Sequence, residues 1–176
     1  MNSCCEFSKK IFINQIQKKE FRITIEADKS ERKALAERFS IPEILSLSCF
    51  YKLAYFHGGH IRAQGILKSS IIQNCVVSLE DFPVDIEDGF ELIFIPLPQV
   101  SSELEELDDP DIIPYDNDYI DIGEVTAQQL ALLLDPYPHK PNVEKKLIIK
   151  EKDLEIQGIK RKKDSPFKIL EKLKKG

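Results

Sequence analysis

Phe21-Arg22-Ile23-Thr24-Ile25-Glu26-Ala27 alternates apolar and polar side chains without a break, which predicts a half-buried strand. Asp28 follows as an N-cap, with Glu31 three residues on to complete a capping box. The helix it opens carries Ala34, Leu35, Arg38 and Phe39 at helical spacing, and Pro42 limits its extent because the residue before proline avoids the α region. From Leu47 to Phe56 the chain is rich in β-branched, aromatic and apolar residues, and HGGH (57–60) supplies the positive-φ residues of a hairpin. Ile61, Ala63, Gly65 and Leu67 then alternate with Arg62, Gln64 and Lys68, and Ile71 to Leu79 continues as strand. After Asp81-Phe82-Pro83 the stretch VDIEDGFELIFIP resumes the alternation, with Asp88-Gly89 predicting a bend or bulge. Successive strands joined by short turns predict an antiparallel meander of about five or six strands.

Past Pro96 the pattern gives way to an acidic loop over 97–118. Then comes IDIGEVTAQQLALLLDPYPHKPN (120–142), a short strand-like piece running through Gly123 into a helix over 127–134. Thr126 is the expected N-cap, Gln129 closes the box, and Val125 with Leu130 forms the hydrophobic staple. Such a helix has only about two turns and is marginal alone in water. It is apolar all round, so it must dock on the sheet. Asp135-Pro136 ends it. A last helix is expected near the C-terminus, with Ser165 at the N-cap, Pro166 at N1, and Phe167, Leu170 and Leu173 on one face. The expected fold class is α+β, an antiparallel β-meander with two packed helices and a looser C-terminal helix. Residues 1–143 form a single domain containing the acidic loop, and 144–176 form a basic tail with a short amphipathic helix.

The chain has 176 residues, 42% hydrophobic and 31% charged, which is enough to build a core. Its net charge of −5 is unevenly spread. Every charged residue from Glu103 to Glu124 is acidic, whereas lysines outnumber acids about two to one from Lys145 onward. No run approaches the ~18 apolar residues of a membrane span. MNSCCEFSKKIF lacks the apolar segment of a secretory signal, so a cytoplasmic protein is expected. Of the four cysteines, Cys4 and Cys5 are adjacent, and Cys49 and Cys75 stand alone in strand-like runs. None has the paired CxxC spacing of a zinc site, and a small buried apolar role suits Cys49 and Cys75.

His57 and His60 flank the Gly-Gly turn without a third ligand at diagnostic spacing, so they read as turn residues, and no metal site is expected. The acidic loop lacks the DxDxDG order of a calcium loop and reads as a solubilising or partner-facing segment. There is no GxSxG, P-loop or GxGxxG, so acyl transfer, ATP use and dinucleotide binding lose their usual marks, and no cofactor is expected. Lys160, Arg161, Lys162 and Lys163 can contact phosphate, giving affinity for RNA without sequence specificity. Asp135, Pro136, Tyr137, Pro138 and His139 form a stiff exit from the helix. Tyr137 then either packs on the core or offers a preorganised contact to a protein partner.

Four blocks in order, ERKALAERF (31–39), IIQNCVVSLEDF (71–82), YIDIGEVTAQQLALLLDPYPHKPN (119–142) and SPFKILEKLKK (165–175), resemble the YceD family of large ribosomal RNA subunit accumulation proteins, in its alphaproteobacterial style. The resemblance implies a bacterial cytoplasmic protein needed for normal levels of large-subunit ribosomal RNA, and it brings no catalytic residues. Many relatives have a C-x-x-C pair where this chain has Ile72 to Cys75, and only Cys75 remains here. The function expected is a non-enzymatic factor in large-subunit ribosome biogenesis that binds a large-subunit ribosomal protein or pre-ribosomal RNA, with no membrane and no small-molecule substrate. The acidic loop suits a basic ribosomal protein and the basic tail suits RNA. Two other readings are a metal-dependent RNA- or phosphate-processing hydrolase using the acidic loop, and a purely structural adaptor.

Overall fold

The computed structural model describes residues 6–16, 20–99, 111–116 and 118–141. The chain divides into two units, Met1–His139 and Lys140–Gly176. The expected C-terminal helix lies outside the described residues. In order, the first unit contains β1 (Lys10–Phe12), α1 (Ile13–Ile16), β2 (Phe21–Glu26), α2 (Lys29–Phe39), β3 (Glu43–Tyr55), β4 (Ile61–Asn74), β5 (Asp81–Pro96), β6 (Asp111–Tyr115), β7 (Tyr119–Asp121) and α3 (Ile122–Leu133). Strands β2-β3-β4-β5-β6 form one sheet, and β1 pairs with β7 in a second, two-stranded one. This is the α+β meander that the alternation predicts, with one exception. Strand β6 runs parallel to β5, from Leu92 opposite Asp111 to Pro96 opposite Tyr115.

Helix α2 is capped as its sequence requires. The Asp28 carboxylate accepts from the backbone N–H groups of Ser30 and Glu31, and the Glu31 side chain accepts from the Asp28 N–H. Ser40 closes it in the left-handed conformation, its N–H directed at the Ala36 and Glu37 carbonyls. In β3 and β4 the odd-numbered residues from Leu47 to Leu53 and from Ile61 to Gln73 are buried. They face the helices, α2 packing on β3 and α3 on β4. The opposite face stays in water, as one face of an antiparallel sheet can. There Lys52 meets Glu20 at 2.9 Å, Arg62 meets Glu91 at 3.1 Å and Lys68 meets Glu87 at 2.8 Å. Exposed pairs of this kind contribute ~0–1 kcal/mol each, so they fix register more than stability.

Four expectations are corrected. Asp88-Gly89 makes no bulge, since β4 and β5 pair without interruption from Ile61–Phe94 to Asn74–Asp81. The irregularity lies in β3, between Ile44 and Ser46. The glycine with a packing reason is Gly65, where a Cβ would stand 2.1 Å from Cζ of Phe90. Phe90 in turn meets Tyr51 edge to face, with ring centroids 5.6 Å apart. Second, β4 ends at Asn74 rather than at Leu79, because residues 75–79 close a tight turn. Third, part of the acidic loop is strand β6, whose short apolar core Ile112-Ile113 is masked in sequence by Asp111 and Pro114.

The fourth concerns α3, which begins five residues before the predicted start. Its N-cap is Asp121, whose Oδ1 accepts from the N–H groups of Gly123 and Glu124 at 3.1 and 3.3 Å. The same carboxylate accepts from the Ser8 hydroxyl and, at 2.9 Å, from the Lys9 N–H. Thr126, the predicted cap, is buried inside the helix. Its hydroxyl lies 2.7 Å from the Ile122 carbonyl and 2.8 Å from the Tyr51 hydroxyl. Burial raises the Tyr51 pKa, so the phenol stays a neutral donor and acceptor. Gly123 lets the N-terminal segment reach the helix: a Cβ there would meet the Lys9 N at 2.6 Å and the Phe7 O at 2.8 Å. Arg38 adds an outer tie, bonding Glu124 at 2.8 Å and Glu6 at 3.1 Å. The first contact dominates and raises the Arg38 pKa, so the guanidinium stays charged.

Two measurements check this packing. Gly123→Ala is expected to lose about 1–3 kcal/mol in urea unfolding, because the neighbours it strikes are backbone. Gly89→Ala, with only the Gly65 carbonyl at 3.8 Å, is expected to leave stability unchanged or raise it by up to about 1 kcal/mol. Separately, Cys49 and Cys75 are fully buried, and burial pushes the Cys49 pKa up to about 11. With Cys4 and Cys5 replaced by serine, a thiol reagent at pH 8 is expected to label neither until the chain unfolds. Labelling in the native protein would contradict the packing of β3 and the 75–79 turn.

Candidate interaction surface

The turn after β4 is built around one cysteine. The Cys75 N–H donates to the Glu80 carbonyl at 3.0 Å, and the Leu79 N–H donates back to the Cys75 carbonyl at 2.8 Å. The Ser78 N–H points at the Cys75 sulfur, 3.4 Å away. The Asn74 side-chain amide braces the outside, reaching the Leu79 carbonyl at 3.2 Å and the Asp81 carboxylate at 3.0 Å. The Ser78 hydroxyl oxygen is buried and has no hydrogen-bond partner among the described residues. Closing so short a turn puts Leu79 at φ 57°, in the left-handed region. Its side chain nonetheless stands 74% exposed, and Val76 and Val77 beside it are exposed as well.

The exit from α3 docks against this turn. The Val76 N–H donates to the Pro138 carbonyl at 3.0 Å, and the buried Gln73 side chain donates to the Asp135 carbonyl at 3.2 Å. The Asp135 carboxylate accepts from the Tyr137 N–H at 2.8 Å, fixing the bend that the two prolines stiffen. Tyr137 therefore does not pack on the core. It is 70% exposed, held on a rigid segment next to a turn that presents two valines and a leucine. Glu80, Asp81 and Asp135 bring carboxylates to the same end of the sheet.

Of the residues singled out in the sequence, Asp135 to His139 are thus gathered at one place, with His139 exposed. Lys160, Arg161, Lys162 and Lys163 lie outside the described residues. His60 is half-buried beside the Gly58-Gly59 turn, whose φ values are 80° and 91°. The sequence reading missed Val76, Val77 and Leu79, which continue an apolar run and so look like strand. The polar step Ser78-Leu79-Glu80-Asp81 is the one local sign that the run turns. The C-x-x-C comparison also shifts. Ile72 lies inside β4, paired with Glu43 and Pro83, while the residue brought to the Cys75 sulfur is Ser78, three positions after it.

Among the described residues, no three His, Cys, Asp or Glu side chains are grouped to hold a metal ion, and no helix is long and apolar enough to cross a membrane. No curated protein and no solved structure matches the chain. A family model does, that of the large ribosomal RNA subunit accumulation protein YceD, over residues 63–174. The match takes in the strands from β4 onward, α3, and both halves of the surface at residues 75–79 and 135–139. A match over more than half of its length makes this chain a member of the YceD family.

Proposed function

We propose that the protein is a non-enzymatic cytoplasmic binding factor of the alphaproteobacterial YceD style that captures a basic large-subunit ribosomal protein through the end surface at Val76, Val77, Leu79 and Tyr137. Family membership ties the chain in general to ribosome biogenesis. The observation that carries the finer reading is Leu79. A non-glycine residue in the left-handed region costs roughly 1 kcal/mol or more. A leucine that is 74% exposed recovers little of that by burial. The fold would be better served there by glycine, so the side chain is of use to something outside the fold. Tyr137, rigid and exposed beside it, has the character of a binding anchor: large area and little entropy to lose. The nearby carboxylates suit a basic partner and would speed its approach.

Binding to protein is favoured over binding to RNA by the open face of the sheet. Its basic side chains Arg22, Lys52, Arg62 and Lys68 meet three glutamates, Arg22 and Lys52 sharing Glu20, so they offer phosphate no continuous positive track.

The test is affinity capture from native lysate at low and moderate salt, with and without RNase, using wild type, Leu79→Gly and Tyr137→Ala. Large-subunit ribosomal proteins are expected to survive RNase on the wild type. Leu79→Gly is expected to raise fold stability by up to about 1 kcal/mol while weakening capture, so lost binding cannot be blamed on unfolding. Tyr137→Ala should leave stability within about 0.5 kcal/mol and weaken capture too. Recovery that vanishes with RNase, or capture untouched by both substitutions, would sink the proposal.

A further inference from the structure

The far end of β4 holds a different kind of site. Phe12, Ile13 and Asn14 at the β1–α1 junction, Tyr55 at the end of β3, Gly59 in the hairpin turn, Tyr115 at the end of β6 and Asp118 line a cleft of about 520 Å³. That is the size range of side-chain and small-ligand pockets, ~300–1,000 Å³. The cleft is held open by its own bonds. The Tyr115 hydroxyl donates to the Gly59 carbonyl at 2.6 Å, and the Ile13 N–H donates to the Asp118 carbonyl at 2.9 Å. Gly59 sits at φ 91°, and a Cβ there would strike Pro96 Cγ at 2.7 Å and the Tyr115 hydroxyl at 3.1 Å. The backbone approach that shapes the wall therefore requires glycine. Burial raises the Tyr115 pKa, keeping this donor neutral.

The lining chemistry has a sign. Among the described residues, three aromatics, one asparagine and one aspartate line the space, and no described lysine or arginine does. Phe12 is 50% exposed. Asp118 is the charged residue among the described lining, and a carboxylate there disfavours phosphate and suits a cation. Adjacent rings already hold the chain's own cations. The Lys10 ammonium lies 4.4 Å from the Tyr119 ring centre, and the Arg62 guanidinium 5.2 Å from that of Phe56. Aromatic walls beside an aspartate, with the nearby Lys10 and Arg62 already seated on Tyr119 and Phe56, are the complement of a guanidinium, which is flat, weakly hydrated and able to stack and pair at once.

We propose that this cleft binds an arginine side chain from an extended, basic segment of a protein partner, with Asp118 as counter-charge and Phe12, Tyr55 and Tyr115 as walls. The identity of that partner as a ribosomal protein rests on the function proposed above, whereas the affinity of the cleft for a guanidinium does not. The far placement, on the order of 40 Å along the fourteen residues of β4, makes it a second anchor rather than part of the Leu79 surface.

The experiment is an amide NMR titration of the full chain with N-acetyl-arginine amide, its uncharged citrulline counterpart, and adenosine monophosphate. The arginine probe is expected to give saturable shifts at Asn14, Gly59 and Asp118, with citrulline roughly tenfold weaker. Asp118→Asn is expected to weaken the arginine probe by a similar factor with the rest of the spectrum unmoved. If Asp118→Asn disturbs the fold, Tyr55→Leu makes the same test from the opposite wall. Equal response to citrulline, saturation of these amides by the nucleotide, or no saturable shift would overturn the proposal. Partner capture by wild type that is unaffected by Asp118→Asn and Tyr55→Leu, with no arginine shifts, would remove the cleft and leave the ribosomal-protein reading standing.

Discussion

One carboxylate, that of Asp121, joins two pieces of chain distant in sequence. It caps α3 through the Gly123 and Glu124 amides and holds the N-terminal segment through Ser8 and Lys9. The Ile122 N–H adds a bond to the Lys9 carbonyl at 3.1 Å, and β1 pairs with β7 alongside. A helix of twelve residues is marginal in isolation, so its existence depends on being started and docked at the same point. Asp121 starts it, Gly123 allows the close approach, and Thr126 locks it to Tyr51 on the sheet. From Tyr51 the contact runs through the edge of Phe90 to the bare backbone of Gly65. Seating α3 in this way sets where its C-terminal exit leaves the sheet, and hence where Tyr137 stands.

The parts of this fold that were legible in the sequence are those governed by local periodicity. The strict alternation in 21–27 and 61–68 follows from a sheet with one wet face, and the Asp28–Glu31 box is a contact between residues three apart. What was missed depends on partners distant in sequence. Thr126 with Gln129 has the spacing of a cap, but Asp121 has a second set of donors in Ser8 and Lys9, which no local pattern displays. Strand β6 is parallel to β5, so its pairing is non-local, and its flanking aspartate and prolines look like loop. Leu79 reads as the end of an apolar run. Its left-handed backbone appears only when the Cys75–Glu80 bonds close the turn. The DPYPH exit was visible as a rigid segment, but the turn it meets was not.

Strand β4 therefore has a differently equipped surface at each end. At one end the turn around Cys75 and the α3 exit present apolar side chains on rigid backbone. At the other, aromatic walls and Asp118 form a cleft for a cation. A basic protein with an extended arginine-bearing segment and an apolar anchor would engage both, and two modest contacts on one rigid strand give avidity greater than either alone. In this reading the acidic character of residues 103–124 steers a basic partner to the protein. The function proposed here asks for no catalytic machinery, only a protein partner held for long enough.

The most direct measurement is photo-crosslinking in living cells from an aromatic crosslinking amino acid incorporated in place of Tyr137, followed by identification of what is attached. A large-subunit ribosomal protein, crosslinked at a basic segment, is the predicted product. Crosslinks to RNA alone, or none above those from a crosslinker at Glu87 on the open face of the sheet, would contradict a factor that works through this end of the fold.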